Sequence, residues 1–126
     1  ARCDENCSHL YPAPDFVRAE EVTCERYRKW LDRQAQSCRR RDPRANKPEI
    51  DEYLRRIHKA VQDCRGEDFY TGERLEWNRL NHALSLDGGR KRHKQRGHYP
   101  SVDHYTGTAS LDFRICSANV NHAKGR

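Results

Sequence analysis

The chain has 126 residues, 34% of them hydrophobic and 35% charged, with a net charge of +6. That length suits one domain, or a small module with a helical extension, and the composition allows only a thin core, although two Trp, six Tyr and three Phe argue against full disorder. The basic surplus draws the chain towards phosphate-rich partners or anionic surfaces, and no apolar run is long enough to span a bilayer.

Residues 1–18 are polar and punctuated by Pro12 and Pro14, and they read as an arm or loop. From about Ala19 a stripe of Val22, Tyr27, Trp30, Leu31, Ala35 and Cys38 recurs at helical spacing, which predicts an amphipathic helix. A basic, proline-containing segment, residues 39–46, ends it. A second helix is expected from Pro48, whose missing N–H costs nothing in a first turn. Its apolar face is Ile50, Tyr53, Leu54, Ile57, Val61 and Cys64, its first turn carries Glu49, Asp51 and Glu52, and Gly66 is its expected stop.

Beyond Gly66 the period shortens. The run Phe69-Tyr-Thr-Gly-Glu-Arg-Leu-Glu-Trp77 contains a glycine turn and alternating Leu75 and Trp77, which suits a short strand. One or two helical turns are expected over residues 78–86, before the Asp87-Gly-Gly89 break. The next stretch holds Arg90, Lys91, Arg92, Lys94 and Arg96 and no acid. It reads equally as a solvated loop and as a loop that contacts phosphates. Residues 99–105 and 111–116 read as two strands around the Thr106-Gly107 turn, the second alternating Leu111, Phe113 and Ile115 on one face. Ser117 is a suitable N-cap for a final helix that carries Asn121 and Lys124.

The six cysteines leave the compartment open. There is no Cys-x-x-Cys pair, so a tetrahedral zinc site is disfavoured, and Cys3, Cys7 and His9 are the remaining trio of that kind. Cys24, Cys38 and Cys64 fall on apolar faces, which favours plain packing as thiols and a cytoplasmic location. Disulfides would instead place the protein outside the reducing cytosol. The chain has no Met, so Ala1 reads as a trimmed or processed start, which keeps secretion as the alternative.

Hydrolysis of a phosphodiester requires a water nucleophile, a base for its proton and cationic stabilisation of the phosphate. In the order strand, glycine turn, strand, helix, this sequence offers a hard oxygen ligand in Asp103, an imidazole base in His104 and a side-chain oxygen in Asn121. Neighbours in a flat strand point to opposite faces, so Asp103 and His104 can serve one site only if the strand ends or twists there.

The segments Phe69-Tyr-Thr-Gly-Glu-Arg-Leu75, Tyr99-Pro-Ser-Val-Asp-His104, Asp112-Phe-Arg-Ile-Cys116 and Asn121-His-Ala-Lys124 resemble HNH endonucleases over residues 64–126. The resemblance implies a small ββα-metal module (64–126); with the arm and helical pair read from the apolar stripes (1–63), the expected architecture is α+β. It implies His104 as general base, Asp103 and Asn121 as ligands of one divalent metal, and Mg²⁺ or Mn²⁺ as that metal, with Zn²⁺ or Ni²⁺ as alternatives. Asp112 falls near the family's central Asn, which steadies the loop carrying the catalytic His; Asp accepts the same N–H bonds but cannot donate as Asn does. The implied partner is nucleic acid, double-stranded DNA before RNA, with Arg92, Lys94, Arg96 and Lys124 on flanking phosphates. The rival readings are a nucleic-acid-binding module that no longer cuts and a secreted, disulfide-containing binding or toxin domain.

Overall fold

The structure, a computed structural model, describes residues 11–80, 98–104, 111–118 and 120. Among these residues three helices precede a two-stranded sheet: α1 (Asp15–Arg18), α2 (Cys24–Arg41), α3 (Ile50–Cys64), β1 (Pro100–His104) and β2 (Phe113–Ser117). This mixture is α+β. Among the described residues a 3-10 turn, Trp77–Arg79, follows α3, and residues 81–86 of the helical turns expected over 78–86 lie outside them.

The helical pair forms where the apolar stripes require it. Thr23 caps α2, its hydroxyl accepting from Arg26 N at 3.0 Å, so Val22 is buried just ahead of the helix rather than within it. The inner face of α2 is Tyr27, Trp30, Leu31, Ala35 and Cys38, and that of α3 is Tyr53, Leu54, Ile57 and Val61. The second helix begins at Ile50 rather than Pro48, and its last residue is Cys64. Arg65 takes the left-handed conformation at φ 55°, and Gly66 follows at φ 90°. The positive φ of Gly66 is what calls for glycine; a Cβ there would also sit 2.9 Å from the Arg74 guanidinium and 3.3 Å from the Phe16 ring, which would have to shift.

Two expectations need correction. Residues 15–18 of the supposed arm form one helical turn, α1, which buries Val17 completely in the core. The segment around Leu75 and Trp77 does not form a strand. It makes one antiparallel bridge, Glu67 with Arg74, closed by Leu75 N to Gly66 O at 2.9 Å, and then enters the 3-10 turn. Leu75 and Trp77 are nonetheless both fully buried, because the hairpin folds back on the helices.

β1 and β2 pair antiparallel, with Val102 opposite Ile115, Asp103 opposite Arg114 and His104 opposite Phe113. The Phe113 ring packs 6.4 Å from Tyr53 of α3. Trp77 lies edge-on to Trp30 at 6.2 Å, and its indole N–H donates to Gly66 O at 3.2 Å. One hydrophobic cluster therefore runs from Val17 and Trp30 through Trp77 to Ile115, joining the helical pair to the sheet.

Candidate active site

The end of β1 carries the two residues of interest, and the strand pairing runs in register through both of them. Successive side chains in a strand point to opposite faces. Asp103 shares its face with Arg114, and Tyr70 Oη donates a hydrogen bond to Asp103 Oδ2. His104 lies on the other face, its ring 5.0 Å from that of Phe113 and inclined by 34°. Both are partly exposed. The twist that would bring the pair together is not found within β1 itself, and residues 105–110, with the Thr106-Gly107 turn, lie outside the described residues.

Asp112 stands immediately before β2 and forms an ion pair with Arg114. The Arg114 guanidinium lies 5.0 Å over the Phe69 ring and also donates to Phe113 O at 2.9 Å. The described partner of Asp112 is thus a cation two residues on. Arg92, Lys94, Arg96, Asn121 and Lys124 lie outside the described residues. Among the described residues no group of three or more His, Cys, Asp or Glu gathers into a metal cluster; of the two expected ligands, Asp103 alone falls among them.

The helix expected after β2 begins as the sequence suggests. Ser117 Oγ accepts from Val120 N at 3.1 Å, the N-cap bond, and Ala118 and Val120 are helical. Ala118 N also donates to Tyr99 O at 3.0 Å, tying the helix start to the entry of β1.

Sequence reasoning missed Asp68 and Tyr70. Asp68 is a buried carboxylate, 3% exposed. Its Oδ1 accepts from Tyr70 N at 2.7 Å and Thr71 N at 3.2 Å, and its Oδ2 accepts from Ser117 N at 2.9 Å. Phe69 N donates to Ile115 O at 2.9 Å, so the turn lies along β2. The available signal was the Asp68-Phe-Tyr-Thr-Gly72 spacing, since Asp and Gly are turn formers. That spacing says nothing of a partner 49 residues away.

The cysteines also require a correction. Cys24, expected to pack as a plain thiol, is disulfide-bonded. It stands at the first residue of α2, where Ala13 N approaches its sulfur at 3.4 Å, so it faces the N-terminal segment rather than the depth of the helix pair. Cys38 and Cys64 are free thiols, and burial pushes Cys64 up to about 11. Among the described residues no helix is long and apolar enough to cross a membrane.

No family model, curated protein or solved structure matches this chain.

Proposed function

We propose that the protein is a metal-dependent HNH-type endonuclease that hydrolyses phosphodiester bonds of DNA, with RNA the less favoured substrate. The observation that carries this reading is the order of elements around Asp103 and His104. They end β1, β1 pairs antiparallel with β2, and the last residue of β2 caps a helix start. That strand–strand–helix order supports a ββα-metal module.

The donor chemistry fits a hard divalent ion. Asp103 supplies a partly exposed carboxylate with about four lone-pair sites, so the hydrogen bond from Tyr70 does not by itself preclude a cation on the same group. Asp103 and Asn121 would hold Mg²⁺ or Mn²⁺, with Zn²⁺ or Ni²⁺ as substitutes. A bound ion would neutralise charge on the phosphate and on the leaving oxygen. His104 is the last residue of β1 and lies on the face opposite Asp103; it would take the proton of the attacking water with its ring turned from Phe113 towards the metal side at the strand end. Asp112, paired with Arg114, would hold the entry to β2 in place. Arg92, Lys94, Arg96 and Lys124 would engage flanking phosphates.

Plasmid DNA incubated with the protein and Mg²⁺, Mn²⁺, Zn²⁺ or Ni²⁺ tests the reading. Nicking or linearisation that a chelator abolishes is the expected result. DNA binding without cleavage across all four metals would favour the non-cutting module instead, and absence of binding would defeat both.

The Cys24 disulfide favours the secreted alternative for location, because such bonds persist outside the reducing cytosol. The nuclease reading is compatible with that placement. A count of reactive thiols in denaturant, before and after reduction, checks it: thiols that appear only on reduction support an oxidising compartment, and an unchanged count speaks for the cytoplasm.

A further inference from the structure

Tyr70 and Asp68 lie outside the residues assigned above, yet they form one continuous polar path to Asp103. The Tyr70 hydroxyl reaches Asp103 Oδ2 across 33 residues of sequence. Tyr70 is itself fixed, because its backbone N–H is held by Asp68 and its ring lies edge-on to Phe69 at 5.0 Å. Asp68 is in turn bound to Ser117 N, and Ser117 caps the helical residues that precede Asn121 in sequence. One buried carboxylate thus ties the turn that delivers the phenol to the point where the last helix starts.

We infer that Tyr70 and Asp68 are positioning residues for the proposed metal site. The Tyr70 hydroxyl fixes the orientation of the Asp103 carboxylate, and Asp68 keeps the Tyr70 turn in register with Ser117. The inference rests on the reading of Asp103 as a metal ligand. Its physical basis is the freedom of a partly exposed Asp side chain at a strand end. A carboxylate that must be ordered on binding loses affinity, whereas one already held by a hydrogen bond presents its remaining lone pairs in a fixed direction. Tyr70 suits this task more than a packing role, since 38% of the residue is exposed while its hydroxyl reaches Asp103. Asp68 suits it because all three of its N–H partners are backbone groups, so it fixes chain positions rather than mobile side chains.

The test is a Mn²⁺ titration of the full chain under non-reducing conditions without nucleic acid. The parent is compared with Tyr70→Phe, Asp68→Asn and Asp103→Ala. Tyr70→Phe removes one oxygen and keeps the ring; its Mn²⁺ affinity is expected to fall by about 10- to 100-fold, with the metal-free thermal midpoint unchanged. Asp68→Asn, which gives up one of two acceptor oxygens, is expected to shift affinity in the same direction. In the plasmid assay Tyr70→Phe should need more Mn²⁺ yet recover the parental rate at saturation, a split that general loosening of the fold would not produce. Parental affinity in Tyr70→Phe, beside lost affinity in Asp103→Ala, overturns the inference and leaves the metal reading standing. Parental affinity in Asp103→Ala overturns both.

Discussion

The helical pair and the turn-and-ladder region that holds the candidate site are stabilised in different ways. Around α2 and α3 the work is done by burial: Tyr27, Trp30, Leu31, Tyr53 and Ile57 are all at most 1% exposed. Their contacts are dense and non-directional. The inner face of β1 and β2 is buried too, at Val102, Phe113 and Ile115, but the turn that reaches Asp103 is held to β2 by single directional bonds, above all the three that Asp68 accepts. Phe69 and Tyr70 remain substantially exposed there, at 47% and 38%. A framework held by burial tolerates small changes of shape. A site held by a few hydrogen bonds can lose its geometry while the framework persists.

The largest expected effect breaks the framework. Trp30→Ala removes a fully buried ring that contacts both Tyr27 and Trp77, and it should cost about 3–5 kcal/mol. Because one cluster joins the helices to the sheet, urea unfolding followed by helical circular dichroism and by Trp77 fluorescence should shift together. Separate transitions would show that the two regions fold independently.

Asp68→Ala should act on the other region. It leaves Ser117 N, a buried donor, without its described acceptor, at a cost of about 1–3 kcal/mol. Amide exchange should accelerate at Tyr70, Thr71 and Ser117 before it does in α2. Equal acceleration in both regions would erase the contrast. Ser117→Ala is the milder version, worth about 1 kcal/mol as a lost N-cap, with faster exchange confined to Val120 and its neighbours.

The smallest effect is a pH dependence within the helical pair. His58 is buried, and its Nδ1 lies 2.7 Å from the Tyr27 hydroxyl. Burial, and secondarily the charge of Arg28, lower its pKa from the ordinary value of 6.5. The unfolded chain therefore binds a proton that the folded chain resists. Stability from neutral His58 is fully present above pH 6.5 and is lost as pH falls through the lowered folded value. The urea midpoint should drop between pH 7 and pH 5 in the parent and less in His58→Gln. Parallel titrations would remove His58 from the account.

The contrast between the regions also governs what could be read from sequence. The helices were legible because burial imposes a period: the stripe from Tyr27 to Cys38 and that from Tyr53 to Val61 mark inner faces without knowledge of their partners. Thr23 and α1 were missed because a cap and a single turn leave no period. The two strands and the Ser117 cap were legible from alternation and local chemistry. Asp103 and His104 drew attention through ligand and base chemistry as well as the family resemblance, and Asp112 through the resemblance alone; their contacts followed from neither. Arg114 bonds Asp112, Tyr70 bonds Asp103 and Phe113 flanks His104, each a pairing that only the folded chain creates. The Cys24 disulfide was illegible for the same reason, since a position at the head of an apolar stripe looks identical for a thiol and for half a bridge.

The central claim is that His104 is the general base of a nuclease site, and parallel His→Ala variants test it most directly. His93, His98, His104 and His122 are each replaced, and DNA binding and plasmid cleavage are measured at saturating Mn²⁺. The account predicts that His104→Ala binds DNA as the parent does and cleaves it about a hundred- to ten-thousand-fold more slowly, with the other three much less affected. Cleavage by His104→Ala at the parental rate, with loss of cleavage in another of the four, would contradict it.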